Sequence, residues 1–237
     1  SGRQRRELTE EEKAAQAKYE EDLKVFREDP STMDKWADVR KKFNDAGISI
    51  HELKWTAGDS DEQLGYTCEV AKVLGAGGFT IEGSEEAFKR YGTIAERHGV
   101  YAIFHNHGQY ANMTVEEIQV WLDYSPANML EFDMGHYFGF GYDNSTKLTI
   151  NQFIDRFHDR IFNIHIKDKT SLYNEHASNQ NQVWGQGETP LREMLQHVRD
   201  NYPHIHCDIE LEYRIPAWSD SIKETANCVR FAREALI

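Results

Sequence analysis

The sequence predicts an α/β fold, a TIM (β/α)8-type barrel, on three observations. Short apolar runs alternate with helical stretches over most of the chain, which implies βαβ units and a parallel sheet. The length of 237 residues suits a single domain over 1–237, since α/β barrels run to roughly 250 residues as one unit. Histidines and carboxylates fall at the ends of successive apolar runs, where such folds place their active sites.

The elements follow in order. The charged stretch from Leu8 to Arg27 reads as a helix opened by a Thr9/Glu12 capping box and ended by Asp29-Pro30. Ser31 to Asn44 gives a second helix, stopped at Ala46-Gly47. Ile48 to Leu53 alternates as a strand. Helices over 59–74, 84–98, 114–124, 150–160, 191–201 and 219–236 then alternate with strands over 78–81, 100–104, 129–132, 161–166 and 205–211. Six strands fall short of the eight that a closed barrel needs, so the first one or two β/α units are expected to be absent from this chain. A doubly wound sheet is the alternative. It lacks its signature, because Gly75-Ala76-Gly77-Gly78 precedes a strand and reads as a helix-to-strand turn, not as a phosphate loop.

Forty acidic residues against 27 basic ones give a net charge of −13, which counts against a nucleic-acid partner. Cys68, Cys207 and Cys228 show no metal or disulfide spacing and read as free thiols. No apolar run approaches the roughly 20 residues of a membrane span. No signal peptide is visible, so the expectation is a cytoplasmic protein, or a periplasmic one if a leader has been removed. Ser1-Gly2 reads as an expression remnant or the start of a processed chain.

Four successive strands end in acid/base or metal-capable groups. They end in His105-Asn106-His107, in Glu131-Phe132-Asp133-Met134-Gly135-His136, in His165-Ile166-Lys167-Asp168 and in Glu210-Leu211-Glu212. Residues two apart on a strand share a face, so His105 pairs with His107, His165 with Lys167, and Glu210 with Glu212. Nitrogen and carboxylate donors of this kind suit one divalent ion such as Mn, Co, Mg or Zn. The residue types alone leave metal-free acid/base chemistry open. Each residue also has a plain alternative, as a surface histidine, a helix cap or a solvated strand position; four strand ends in sequence favour a shared site. Glu82 and Lys54 end earlier strands and join as candidate substrate contacts. Tyr137, Phe138 and Phe140 offer an apolar wall for a sugar ring, or simple packing.

In these segments, together with Trp184-Gly185-Gln186-Gly187-Glu188-Thr189-Pro190, the chain from about Trp36 onward resembles the sugar phosphate isomerase/epimerase family. These are xylose-isomerase-like barrels related to type 2 AP endonucleases. The resemblance implies one metal held by residues of four consecutive strands. Asp133 and His165 match two ligands, and Glu212, or else Glu210, matches the last. His136 and Lys167 match substrate contacts. The stretch from Trp184 to Pro190 matches a loop that closes over the site, or, read plainly, a turn with Thr189 capping a helix. Where keto-sugar epimerases carry a first glutamate ligand this chain has His105, with His107 as the substitute, so a symmetric exchange between two glutamates is not expected.

The expected function is a metal-dependent isomerase or epimerase of a small keto-sugar. Glu212 or Glu210 would remove a proton next to a carbonyl while His105, His107 or His136 acts on the other face. A lyase or dehydratase expelling a β-leaving group is the alternative, since elimination uses unlike acid and base. A carbohydrate-binding barrel without catalysis is the reading from another class. The family's oligomers make a homo-oligomer an open expectation.

Overall fold

The computed structural model describes residues 8–141 and 147–237, so Ser1 and Gly2 lie outside the described residues. Eight strands and nine helices are described. The strands are β1 (Glu52–Leu53), β2 (Gly78–Glu82), β3 (Tyr101–His105), β4 (Asn128–Asp133), β5 (Ile161–Ile166), β6 (Asp168–Lys169), β7 (Asn181–Gln182) and β8 (His206–Ile209). The helices are α1 (Glu10–Glu28), α2 (Thr32–Asp45), α3 (Asp61–Leu74), α4 (Glu85–His98), α5 (Val115–Asp123), α6 (Met134–Gly139), α7 (Ile150–Phe157), α8 (Leu191–Asn201) and α9 (Ser221–Ala235).

Six strands form one parallel sheet in the order β1-β2-β3-β4-β5-β8, and β6 and β7 form a small antiparallel ribbon. Laid flat, six strands would hold β1 and β8 about 24 Å apart. Yet His51, next to β1, places Nε2 3.0 Å from Asp208 Oδ2 on β8. The sheet is therefore curled into part of a barrel, with its two outer strands facing each other across the interior.

Local chemistry explains the elements. Thr9, Ser60, Thr114 and Thr149 each close a capping box at a helix start. Gly75 and Gly99 end α3 and α4 in the left-handed conformation, which glycine adopts without steric cost. Outward-facing strand residues pack beneath the helices: Phe104 stacks on Phe88 at 3.7 Å, and Phe132 on Phe153 at 4.3 Å. The pairing of β4 with β5 slips between Leu130 and Glu131, leaving Phe162 without a partner. This bulge sets the phase of β5, so that Asn163 and His165 stand opposite Glu131 and Asp133.

Some expectations change. The strand expected over 48–53 pairs only at Glu52–Leu53, and that over 205–211 only at His206–Ile209, because both lie at the sheet's edges. The helix expected over 150–160 stops at Phe157 and tightens into a 3-10 turn, His158–Arg160. Thr189 caps no helix; its hydroxyl bonds the backbone of Lys169 instead. Among the described residues no helix is long and apolar enough to cross a membrane.

Candidate functional site

The inward residues of β3, β4, β5 and β8 meet at the carboxyl end of the sheet. Glu131, fully buried, lies between two histidines, with Oε2 2.8 Å from His105 Nδ1 and Oε1 2.7 Å from His165 Nε2. The second ring nitrogen of His165 lies 2.8 Å from Glu210 Oε2. Lys167 is buried at the centre. Its ammonium lies 2.8 Å from Asp133 Oδ2, 2.8 Å from Glu210 Oε2, 2.6 Å from Glu212 Oε2 and 3.0 Å from His136 Nε2. Gly135 lets this side chain pass, since a Cβ there would lie 2.8 Å from the Lys167 carbonyl oxygen and collide with its stem.

The backbone holds these groups in place. Asn106 donates to the Asp133 carbonyl and accepts from the Asp133 amide, at 3.1 and 2.9 Å. Asp133 Oδ1 accepts from the His136 amide at 2.8 Å and so caps α6. A second layer lies across the barrel. Glu52 Oε2 accepts from Thr80 at 3.0 Å, and Asn163 donates to Asp208 at 2.7 Å and Glu131 at 3.3 Å.

Burial and charge shift the ionisation of these groups. Burial would lower His165, but hydrogen bonds to Glu131 and Glu210 raise it to about 10. Burial likewise opposes ionisation of Glu131, yet His105 and His165 hold it well below the usual carboxylate range. Glu210 is held low against burial by His165 and Lys167. Burial pushes Asp133 up to about 7, against the nearby Lys167 ammonium. Burial, with the charge on Lys167, pushes His136 down to about 2, so its ring is neutral near pH 7. Burial, then the Glu131 charge, raises Glu52 to about 7.

The donor set fits a divalent ion. One atom each from Asp133, His165 and Glu210 lies within 4.8 Å of the others. Asp133 Oδ2 is buried and has no hydrogen bond of good geometry among the described residues. Glu131, Asp133, Glu210 and Glu212 crowd four carboxyl groups around Lys167, and a divalent cation would offset the repulsion among them.

The sequence-derived candidates thus largely converge. His105, Asp133, His136, His165, Lys167, Glu210 and Glu212 share one cluster. His107 stands at the rim, half exposed, with Nδ1 3.2 Å from Glu82 Oε2 and its ring 4.8 Å from that of His136. Lys54 is exposed and apart from these contacts. Trp184 is buried edge-on against Phe231 of α9, while the following loop wraps Asp168, whose carboxylate accepts from the amides of Gly185, Gly187 and Thr189. Tyr137 is core, edge-on to Phe132 and tilted against Phe153, whereas Phe140 lies beside His136. The sequence suggested Glu52 as a pocket-lining strand end but gave no role to Glu131, Asn106, Asn163 and Asp208. Glu131 carried a usable signal, standing two residues before Asp133 and therefore on its face.

The family profile of the xylose isomerase-like TIM barrel matches residues 30–232. The chain belongs to that family. Solved structures similar to it include a xylose isomerase domain protein from Planctomyces limnophilus, 14% identical, with TM-score 0.64, over 86% of this chain and 82% of that one. A sugar phosphate isomerase/epimerase from Parabacteroides distasonis is 14% identical, with TM-score 0.58, over 83% and 76%. A probable 3-DHS dehydratase, AsbF, from Bacillus anthracis is 14% identical, with TM-score 0.60, over 85% and 84%. At these identities the likeness shows the fold alone. None of the curated proteins searched matches the chain.

Proposed function

We propose that this family member is a divalent-metal-dependent isomerase or epimerase of a small keto-sugar. The observation that carries the reading is the convergence of Asp133, His165, Glu210, Glu212, Lys167 and His136 on one mouth at the carboxyl end of the sheet. Asp133, His165 and Glu210 or Glu212 would hold Mn, Co, Mg or Zn, which supplies Lewis acidity toward vicinal sugar oxygens. Glu212 is the more accessible glutamate, its side chain 34% exposed against 22% for Glu210, and is assigned the proton next to the carbonyl. His136 accepts from Lys167 through Nε2, which leaves the proton of the neutral ring on Nδ1. That atom is buried and has no partner among the described residues, and it is assigned to donate to a substrate oxygen. Glu131 holds His105 and His165 in orientation, and His107 and Glu82 form the rim.

One observation favours a second reading, a lyase. The mouth sets the Glu212 carboxylate, just past β8, 3.5 Å from the His136 imidazole on α6, and unlike groups suit elimination, which uses one base and a separate acid. The similarity to a probable dehydratase agrees with it. Proton NMR of the Mn2+-loaded chain in deuterated water, with keto-sugars and 3-keto-glycosides, tests both. Deuterium at the α-carbon of a rearranged sugar is expected. An unsaturated product or a released aglycone would replace this reading with the lyase. No exchange together with no bound metal would leave a carbohydrate-binding barrel.

A further inference from the structure

The β6–β7 ribbon brings a side chain from outside the six-stranded sheet to the glutamate assigned to proton transfer. Strand β6 follows Lys167 directly, and its Lys169 pairs in register with Asn181 of β7. The ribbon is held from two sides. The Thr170 amide donates to the Gln180 carbonyl at 2.9 Å and its hydroxyl accepts from the Gln180 amide at 2.8 Å, while the Lys169 amide donates to the Thr189 hydroxyl at 2.9 Å. Asn181 is thereby set against Glu212, with Nδ2 3.3 Å from Oε2 and 3.5 Å from the carbonyl oxygen of that residue.

Both of those Glu212 oxygens are acceptors, so the Asn181 amide must face them with its nitrogen. Its Oδ1 is therefore turned away from Glu212. That oxygen is buried and has no hydrogen bond among the described residues. The Glu212 carboxylate is asymmetric as well. Its Oε2 is met by Asn181 and, at 2.6 Å, by the Lys167 ammonium, while among the described residues no hydrogen bond reaches Oε1. One oxygen is anchored and the other is open. Beside this base stands a buried acceptor without a donor, an arrangement that is costly until one arrives, and the donor that a sugar carries is a hydroxyl.

We infer that Asn181 both positions the base and reads the substrate: Nδ2 anchors Glu212 Oε2, so that Oε1 takes the proton, and Oδ1 accepts from one free hydroxyl of the sugar beside the reacting carbons. The C–H electron pair stays on the substrate as an enolate. This deepens the function proposed above and rests on it. An ether oxygen in place of that hydroxyl would set two acceptors against each other, and a deoxy carbon would leave the amide oxygen unmet. The sugar must therefore carry that hydroxyl unsubstituted.

Calorimetric titration of the full chain with Mn2+ present, using D-fructose and its 1-, 3- and 4-deoxy derivatives, tests the inference. One deoxy sugar is expected to bind the wild-type chain about ten-fold more weakly than D-fructose, yet to bind N181A as well as D-fructose does, which identifies the hydroxyl. In deuterated water N181A is expected to lose about ten-fold in kcat for α-deuteration, because Lys167 alone then anchors Oε2. Should N181A fail to fold, N181S, too short to reach Glu212, is expected to behave in the same way. A deoxy penalty of equal size in the wild-type chain and the folded variant, an unchanged kcat, or no binding of any of these sugars would overturn the inference. In each case α-deuteration of a keto-sugar by the wild-type chain would leave the proposed function standing.

Discussion

Strand β4 carries two environments on its two faces. Leu130 and Phe132 point outward into an apolar layer closed by Phe153 and Tyr137. Glu131 and Asp133 point inward and are equally buried, but among charges. The outward face stabilises by removing apolar area from water, a term that varies little with pH or ligand. The inward face stabilises only while its charges are matched, so its contribution varies with protonation and with bound cations. Stability and chemistry therefore occupy alternate residues of one strand.

Variants can break this contrast at graded cost. The largest loss belongs to the outward face. Phe132→Ala is expected to cost about 3–5 kcal/mol in chemical denaturation and to leave Mn2+ affinity unchanged where the chain is still folded. On the inward face Glu131→Ala strands two histidines, and a loss of about 3 kcal/mol is expected at pH 7; an unchanged denaturation midpoint would mean that the pairing is dispensable. Mn2+ at 100 times its Kd should raise stability by about 2.7 kcal/mol. Asp133→Asn, which keeps an oxygen for capping α6, should lose that gain.

The next effect concerns pH. Glu52 is raised from 4.5 to about 7 in the folded chain. Between those values the folded state keeps a proton that the unfolded state has released, so this residue's contribution falls as pH rises from 4.5 to 7. Across that window Glu52→Gln is expected to remove a loss on the order of 2 kcal/mol, read from melts at several pH values. The smallest effect lies away from both faces. Helix α1 buries no residue, and Lys18→Ala, which breaks the exposed 3.1 Å pair with Asp22, should change stability by less than about 0.5 kcal/mol.

The same contrast explains what was legible in the sequence. The outward face writes periodicity and turn signals into neighbouring residues, so Ile161–Ile166 and Leu191–Asn201 match their predicted spans. Histidine and carboxylate positions at strand ends were legible because alternation fixes which residues share a face. Other parts left no local trace. His51 and Asp208 meet across 157 residues only because the sheet curls. Helix α6 is six residues long with a glycine at its end, too short to show a period. The two-residue strands of the β6–β7 ribbon are likewise below what a pattern can mark. Glu131 looked like a strand interior, and its role came from partners on β3 and β5.

Asp133 divides its carboxylate between two tasks: one oxygen caps α6 and the other faces Lys167. Its side chain cannot turn away from the mouth without uncapping the helix that carries His136 and Gly139. Five of the six residues of that helix are buried, so acid, helix and histidine keep one geometry over the strands beneath.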